Sequence, residues 1–372
     1  MASELLKRSE VKEEDTWNLK DMYPSDETWE NELKTINGIV ERIAAYEGKV
    51  TESAANLLNV LSDLAAAGEK VSLAFSYAER LFDEDQTNTA HQAMSAKVYS
   101  VYAAMGSKTA FVDPEIIAAS EETLEAFYKE QPDLLLYKKQ IAEIRRMKEH
   151  CLSSEMEKLI AMTAEMSQTP ADTFSILNNA DMVLPEIKDE NGELVRLTPG
   201  RYGQFLQSAD RRVRKDAFDA MYGTYKQFLN TSASLYSGNI KQQIFYAKAR
   251  KYNSTLECAV DANNVSPSVY HNLIDTVNKN LDKMHAYVAL RKKCLRLDEL
   301  HMYDIYTPMI PDMAKKIPFE EAKETVLKAL APLGEEYVSK VKEGFENRWI
   351  DVYENQGKRS GAYSAGEYGC HP

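Results

Sequence analysis

The sequence predicts an all-α protein with one small β-hairpin and a non-helical segment near its C-terminal end. Apolar residues recur at helical spacing along most of the 372 residues. Cap signals such as Ser266-Pro267 mark helix starts, because serine accepts hydrogen bonds from first-turn N–H groups and proline fits the first helical position. The helical spacing stops at two places, near residues 183–198 and after Gln356.

The first half of the chain is predicted to consist of successive amphipathic helices. One begins after Pro24 and ends at Gly48. Gly68 is predicted to separate a second helix from a third, since glycine inside a helix costs about 1 kcal/mol relative to alanine. A fourth helix is expected over residues 87–110, and short connections favour antiparallel packing of neighbours.

The hairpin prediction depends on Asn191-Gly192, which lies between two short stretches of alternating apolar residues. Such a pattern is the strongest short-range hairpin signal. Helical spacing resumes after Thr198-Pro199-Gly200 and predicts one long helical run over residues 213–252. The charged run Asp210–Lys215 at its start is predicted to be solvated.

Composition limits the classes of partner and the compartment. The chain has 45 Lys and Arg against 58 Asp and Glu, a net charge of −13, so it lacks the basic excess that nucleic acids or anionic membranes require. It has no apolar run of the roughly 20 residues that a membrane helix needs. The four cysteines form no CxxC pair, which is typical of free thiols in a reducing cytoplasm.

The residues alone predict no catalytic or metal-binding constellation in this chain. None of the six histidines is paired at i,i+3 or i,i+4 spacing, so no helix face offers two imidazoles to a catalytic zinc ion. Cys370 and His371 are adjacent, but neighbouring residues of an extended segment point to opposite faces, which argues against a thiol peptidase.

The segment after Gln356 is predicted to be an extended strand. Four glycines disfavour a helix here: Gly357, Gly361, Gly366 and Gly369. Tyr363 and Tyr368 stand among small residues, which suits a strand that another backbone approaches closely.

Several stretches together resemble the oligoendopeptidase F group of the M3 zinc metallopeptidases. The stretches that carry the resemblance are Trp17–Pro24, Asp210–Arg214, Val265–Tyr270, Tyr287–Lys293, Leu295–Tyr306, Gly357–Ser364 and Tyr368–Pro372. The resemblance implies a multi-helix ellipsoid with a deep channel, which cleaves short peptides with a zinc ion held by an HExxH helix and a later glutamate. This sequence contains no HExxH motif. We therefore expect the N-terminal portion of such an enzyme, truncated before that motif, inactive alone and without bound zinc.

The resemblance also assigns candidate substrate-binding residues. The family strand beside the channel pairs with an extended peptide, and the matching residues here are Gly361, Tyr363, Tyr368, Gly369 and His371. In the alternative interpretation, the two tyrosines pack against the missing half of the protein.

The expected organisation has three parts and leaves two other functions open. Residues 1–112 are predicted to form an N-terminal helical domain, residues 113–199 a helical segment that ends in the hairpin, and residues 200–372 the incomplete first part of a peptidase domain. The alternatives are a non-catalytic helical peptide-binding or scaffold protein, and one half of a split peptidase. The last helices are expected to lack packing partners, which favours either self-association or a mobile C-terminal region.

Overall fold

The computed structural model describes residues 5–310 and 317–371, and this part of the chain is predominantly helical. The helices are α1 (Asp26–Ala44), α2 (Ala54–Glu84), α3 (Thr89–Thr109), α4 (Val112–Ala118), α5 (Glu121–Glu130), α6 (Lys138–Arg146), α7 (Ser154–Met162), α8 (Ala164–Ile176), α9 (Pro199–Phe205), α10 (Arg211–Gln227), α11 (Leu229–Ala249), α12 (Thr255–Asp261), α13 (Pro267–Lys279), α14 (Leu281–Cys294), α15 (Phe319–Leu330) and α16 (Glu335–Glu346). The strands are β1 (Glu186–Lys188) and β2 (Leu194–Arg196). The all-α fold class is confirmed.

The hairpin forms where the sequence predicts it. β1 and β2 pair antiparallel, with Ile187 opposite Val195. Gly192 has φ = 83°, a left-handed value that glycine adopts without steric cost. The Asp189 carboxylate accepts hydrogen bonds from the backbone N–H groups of Asn191 and Glu193, at 2.8 and 2.9 Å, which closes the turn.

The chain divides into two compact units, each assembled from three stretches of sequence. The first, here called the hairpin unit, comprises Met1–Asn18, Ser175–Ser234 and Asn264–Tyr363. The second, the helical unit, comprises Leu19–Phe174, Leu235–Asn263 and Ser364–Pro372. The predicted three-part division at residues 112 and 199 stays a prediction.

The helical unit has its core between α1, α2 and α3. Trp29 of α1 is fully buried, and its indole N–H donates to the carbonyl of Ala74 in α2 at 2.9 Å. Apolar residues at helical spacing, such as Ile36 and Val40, pack with Val71 of α2 in the same cluster. This burial stabilises the long helices far more than intrinsic propensity does.

The hairpin unit has a smaller core beneath the hairpin. Leu184, Ile187 and Leu197 pack against Ala217 and Met221 of α10. α10 begins at an Asp210 cap, whose carboxylate accepts from the Arg212 N–H at 2.9 Å. The core therefore fixes the hairpin against the start of α10.

Two of the helix boundaries predicted from the sequence are wrong. α2 continues through Gly68 to Glu84, because a helix buried against α1 and α3 outweighs the cost of one glycine. The predicted run over residues 213–252 is interrupted at Phe228, which ends α10 before α11 begins at Leu229. Within the described residues, no helix combines the length and apolarity needed to span a bilayer.

Candidate functional site

The candidate site is the C-terminal segment, defined as residues 356–371. As predicted, it contains no helix, and none of its residues is paired in a β-ladder within the described part of the chain. Residues up to Tyr363 belong to the hairpin unit, and residues from Ser364 belong to the helical unit. Its two halves have separate surroundings.

Three glycines in the segment have backbone conformations that other residues rarely adopt: Gly357 has φ = 74°, Gly361 has φ = 102° and Gly369 has φ = 79°. A Cβ atom built at Gly361 or at Gly369 would meet no atom within 4 Å. The backbone angle therefore favours glycine, and the space beside Gly361 and Gly369 is open to an approaching chain.

In the hairpin unit, polar contacts fix the first half of the segment. The Lys358 ammonium donates to the Asp351 carboxylate at 2.5 Å and to the Tyr353 carbonyl at 2.7 Å. The Ser360 hydroxyl lies 3.4 Å from Oδ1 of Asn179, in the π-helical turn Leu177–Asp181. Tyr363 is 46% exposed, so its ring remains available for contact with a ligand.

The second half of the segment is held by a turn in the helical unit. The Cys370 N–H donates to the Glu367 carbonyl at 3.0 Å, and the Ser72 hydroxyl of α2 donates to the Glu367 carboxylate. Tyr368 lies in this turn and is 82% exposed. The turn thus presents the Tyr368 ring to solvent.

His371 is held by a carboxylate from the other end of the sequence. Its Nε2 lies 3.3 Å from Oδ2 of Asp21, and an ionised carboxylate only accepts, so Nε2–H is the donor. The adjacent Cys370 is a poor nucleophile, because burial raises the pKa of its thiol and outweighs the lowering by the hydrogen bond from the His371 N–H. The negative charges of Asp21 and Glu367 raise the pKa of this thiol further.

The described residues do not fit a zinc ion. No group of three His, Cys, Asp or Glu side chains within residues 5–310 and 317–371 is arranged to hold a metal. A catalytic zinc site takes three protein ligands.

The charged run at the start of α10 differs from its prediction. Arg214 is only 4% exposed and donates to Oδ1 of the fully buried Asp304 at 2.8 Å. Arg211 donates to both carboxylate oxygens of Asp304, at 3.1 and 2.9 Å. Burial raises the pKa of Asp304, but hydrogen bonds from Arg211 and Arg214 outweigh it and lower the pKa to about 2.

These contacts make the Asp304 cluster a structural element rather than a solvated surface. Arg291 of α14 also donates to the backbone carbonyls of Asp304 and Thr307, at 3.3 and 2.5 Å. The cluster joins α10, α14 and the 3-10 turn Met302–Asp304 within the hairpin unit. A local charge run carries no signal of a buried partner some 90 residues further on, so sequence reasoning missed it.

Sequence reasoning also missed the residues that contact the C-terminal segment. Trp17 has its ring centroid 6.3 Å from that of Tyr363, and Asp21 holds His371. Both lie in the Trp17–Pro24 stretch that carried part of the family resemblance. No periodicity or spacing in the sequence connects that stretch to the C-terminal segment.

Taken together, the fold and the segment define a helical protein with a glycine-containing segment that lies outside any β-ladder of the described residues and carries exposed aromatic rings. Two family models match the chain: Peptidase family M3 over residues 204–371, and Oligopeptidase F over residues 115–183. The chain belongs to peptidase family M3, in its oligopeptidase F group.

Individual relatives agree with this assignment. The chain is 46% identical to oligopeptidase PepF of Bacillus subtilis over 371 residues, which are 100% of this chain and 55% of that protein. It is 39% identical to group B oligopeptidase PepB of Streptococcus agalactiae, over 97% of this chain and 60% of that protein. The crystal structure of oligoendopeptidase-F from Enterococcus faecium superposes with a TM-score of 0.76 at 36% identity, covering 86% of this chain and 60% of that one. The chain therefore spans about 55–60% of the length of these relatives.

Proposed function

We propose that this chain is the N-terminal portion of a zinc-dependent oligoendopeptidase that hydrolyses short peptides, and that it supplies part of the substrate channel. The observation that carries the proposal is the combination of family membership with a match to only 55% of PepF and 60% of PepB. In this proposal the zinc ligands lie in the portion that the match does not cover. The chain alone is then inactive.

The proposed role of this chain is to bind and orient the peptide. Residues 361–363 of the hairpin unit lie outside every helix and β-ladder of the described chain, so their N–H and C=O groups suit pairing with an extended peptide. The open sides of Gly361 and Gly369 allow close backbone approach. Tyr363 and Tyr368 supply exposed rings that can pack on substrate side chains, and His371 supplies a polar contact whose orientation Asp21 sets.

An exposed apolar surface on α13 supports the proposal of a missing portion. Val269, Leu273 and Val277 recur every four residues and are 57%, 61% and 53% exposed. A helix normally buries such a stripe. We infer that the remaining portion of the enzyme covers this surface, here called the α13 face, and that the chain self-associates through it when that portion is absent.

The chemistry of the cysteines supports a reducing, cytoplasmic compartment as part of the proposal. Cys151, Cys258, Cys294 and Cys370 are all free thiols. Free, partly exposed thiols persist in compartments where thiols are kept reduced.

Complementation tests the proposed function. The chain is mixed with the part of Bacillus subtilis PepF that lies outside its match, and hydrolysis of an internally quenched nonapeptide is followed by fluorescence. We expect no cleavage by either polypeptide alone, and cleavage by the mixture that a chelator abolishes and zinc restores. Cleavage by this chain alone in the presence of the chelator would refute the proposal.

Matched variants test the substrate-binding residues in the same assay. Tyr368→Ala is expected to raise KM about fivefold to tenfold, because a well-packed aromatic contact is worth about 1 kcal/mol or more. Tyr102→Ala on α3 removes a ring that is 56% exposed outside the segment, and should leave KM unchanged. Equal effects of the two variants would count against a substrate role for Tyr368. Tight peptide binding without cleavage by any mixture would instead favour a non-catalytic peptide-binding protein.

A further inference from the structure

The N-terminal segment, defined as residues 5–18, lies along the stretch that leads into the C-terminal segment. The N-terminal segment and residues 348–356 both belong to the hairpin unit. Three backbone hydrogen bonds join these two stretches: Asn18 N–H donates to the Arg348 carbonyl at 2.8 Å, Val352 N–H to the Asp15 carbonyl at 2.9 Å, and Gln356 N–H to the Leu6 carbonyl at 2.9 Å. Residues 5–18 contain only two 3-10 turns, so their order depends on these contacts.

Charged groups reinforce this pairing at two positions. Arg348 adopts φ = 60°, and its guanidinium donates to the Thr16 carbonyl at 3.0 Å and to the Glu13 carboxylate at 2.8 Å. Asp351 has a side chain that is 3% exposed and accepts two hydrogen bonds from the Arg8 guanidinium, at 3.0 and 2.6 Å. A buried bidentate pair of this kind fixes both position and orientation.

Asp351 connects Arg8 of the N-terminal segment to Lys358 of the C-terminal segment. The same carboxylate accepts from Lys358, three residues before Gly361. Burial raises the pKa of Asp351, but the hydrogen bonds from Arg8 and Lys358 outweigh it, so the pKa is lowered and the carboxylate stays ionised. Loss of Arg8 would leave Lys358 as the remaining cation on this carboxylate.

A second contact reaches a candidate substrate-binding residue directly. The Trp17 ring packs on Tyr363 with their planes tilted by 51°. Tilted aromatic pairs with centroids between about 4.5 and 7 Å apart are attractive. The N-terminal segment therefore contacts the C-terminal segment directly at Tyr363, through Trp17, and indirectly at Lys358, through the carboxylate that Arg8 and Lys358 share.

We propose that the N-terminal segment is a positioning element for peptide binding: Arg8 acts through Asp351 and Lys358, and Trp17 acts through Tyr363, to hold residues 357–363 in the conformation that pairs with substrate. The effect on peptides rests on the proposed function. The effect on the conformation of residues 357–363 does not.

Hydrogen–deuterium exchange on the full chain tests the conformational part. Arg8→Gln is expected to speed amide exchange of residues 357–363 at least tenfold, whereas Arg8→Lys should rescue most of the protection. Lys12→Gln is the matched control, since Lys12 and its partner Glu14 are both 75% exposed on the same segment. Unchanged exchange in α2 shows that the helical unit remains folded. No change at 357–363 in Arg8→Gln would overturn the inference.

Aromatic NMR signals supply a readout that does not depend on the charged pair. Trp17→Ala is expected to remove the ring-current shift of the Tyr363 ring protons, and Trp17→Phe to retain part of it. An unchanged Tyr363 spectrum in Trp17→Ala would overturn the contact.

Kinetics of the complemented enzyme tests the part that concerns substrate. Trp17→Ala and Arg8→Gln are expected to raise KM at least fivefold with kcat changed less than twofold, and Trp17→Phe to restore KM. Faster exchange at 357–363 with unchanged KM would overturn the substrate role. An inactive mixture would refute the proposed function, while the exchange and NMR results would still decide whether residues 5–18 hold the segment.

Discussion

Replacing Asp304 by Asn is the substitution that tests the fold of the hairpin unit most directly. Asp304 is completely buried and accepts from Arg211, from Arg214 and from the His301 N–H. Asparagine has nearly the same shape but no charge, and one of its two oxygen positions becomes an N–H₂ donor. The variant therefore removes the negative charge and places the amide N–H₂ group against an N–H donor of Arg211, Arg214 or His301, without leaving a cavity.

The size of the effect follows from the different exposure of the two arginines. The Arg211 side chain is 41% exposed and can regain water, so its loss is small. The Arg214 side chain is 4% exposed, and its remaining acceptors are the carbonyls of Ser208 and Ala209. Removing one partner of a buried pair costs about 3–5 kcal/mol, because the other charge stays buried without compensation.

Exchange measured peptide by peptide locates the loss in the hairpin unit. Asp304→Asn should speed exchange in α10 by about a hundredfold or more, since each factor of ten corresponds to about 1.4 kcal/mol. Exchange in α2 of the helical unit should be unaffected. Asp298→Asn, a change at an exposed acid nearby, should alter stability by less than about 0.5 kcal/mol. A loss below about 1 kcal/mol for Asp304→Asn would refute the reasoning.

Three further predictions concern pH, a helix interior and an exposed face. The stability that Asp304 contributes is present above its unfolded-state pKa of about 3.9 and is lost as pH falls through its folded-state pKa of about 2. In urea titrations, the difference in the free energy of unfolding between wild type and Asp304→Asn should therefore disappear over that pH interval. A difference that does not change with pH would contradict the lowered pKa. Gly68→Ala should stabilise the chain by about 0.5–1 kcal/mol in urea, because the helix is continuous there and an added Cβ meets nothing within 4 Å; destabilisation would imply a kink at residue 68. Leu273→Asp should lower self-association in sedimentation velocity. Asn278→Asp on the same helix adds the same charge and should leave self-association unchanged. Equal behaviour of the two variants would exclude the α13 face as the surface of self-association.

Sequence patterns predicted the local elements well where the signal was local. Asn191-Gly192 placed the hairpin and Ser266-Pro267 placed the start of α13, because turn and cap preferences act over a few residues. Gly68 misled because burial of α2 against its neighbours is a tertiary effect that outweighs propensity.

The surroundings of the candidate site were beyond the reach of such patterns. His371 and Asp21 are separated by 350 residues, and Arg8 and Asp351 by 343. Contacts over such distances depend on how the whole chain folds back, which neither periodicity nor charge spacing encodes. The identity of the segment could be proposed from the sequence through its resemblance to a family, but not what holds it in place.

The pairing of residues 5–18 with residues 348–356 has a consequence for the order in which the protein is made. Ribosomes extend a chain by about 5–20 residues per second, so tens of seconds pass between the synthesis of the N-terminal segment and that of residues 348–356. The helices α1 to α3, in contrast, can pack as soon as residue 109 has left the exit tunnel. During that interval Trp17 and its neighbours lack their packing partners. A chaperone that recognises short apolar stretches would therefore bind at the start of the chain rather than at the helices that follow.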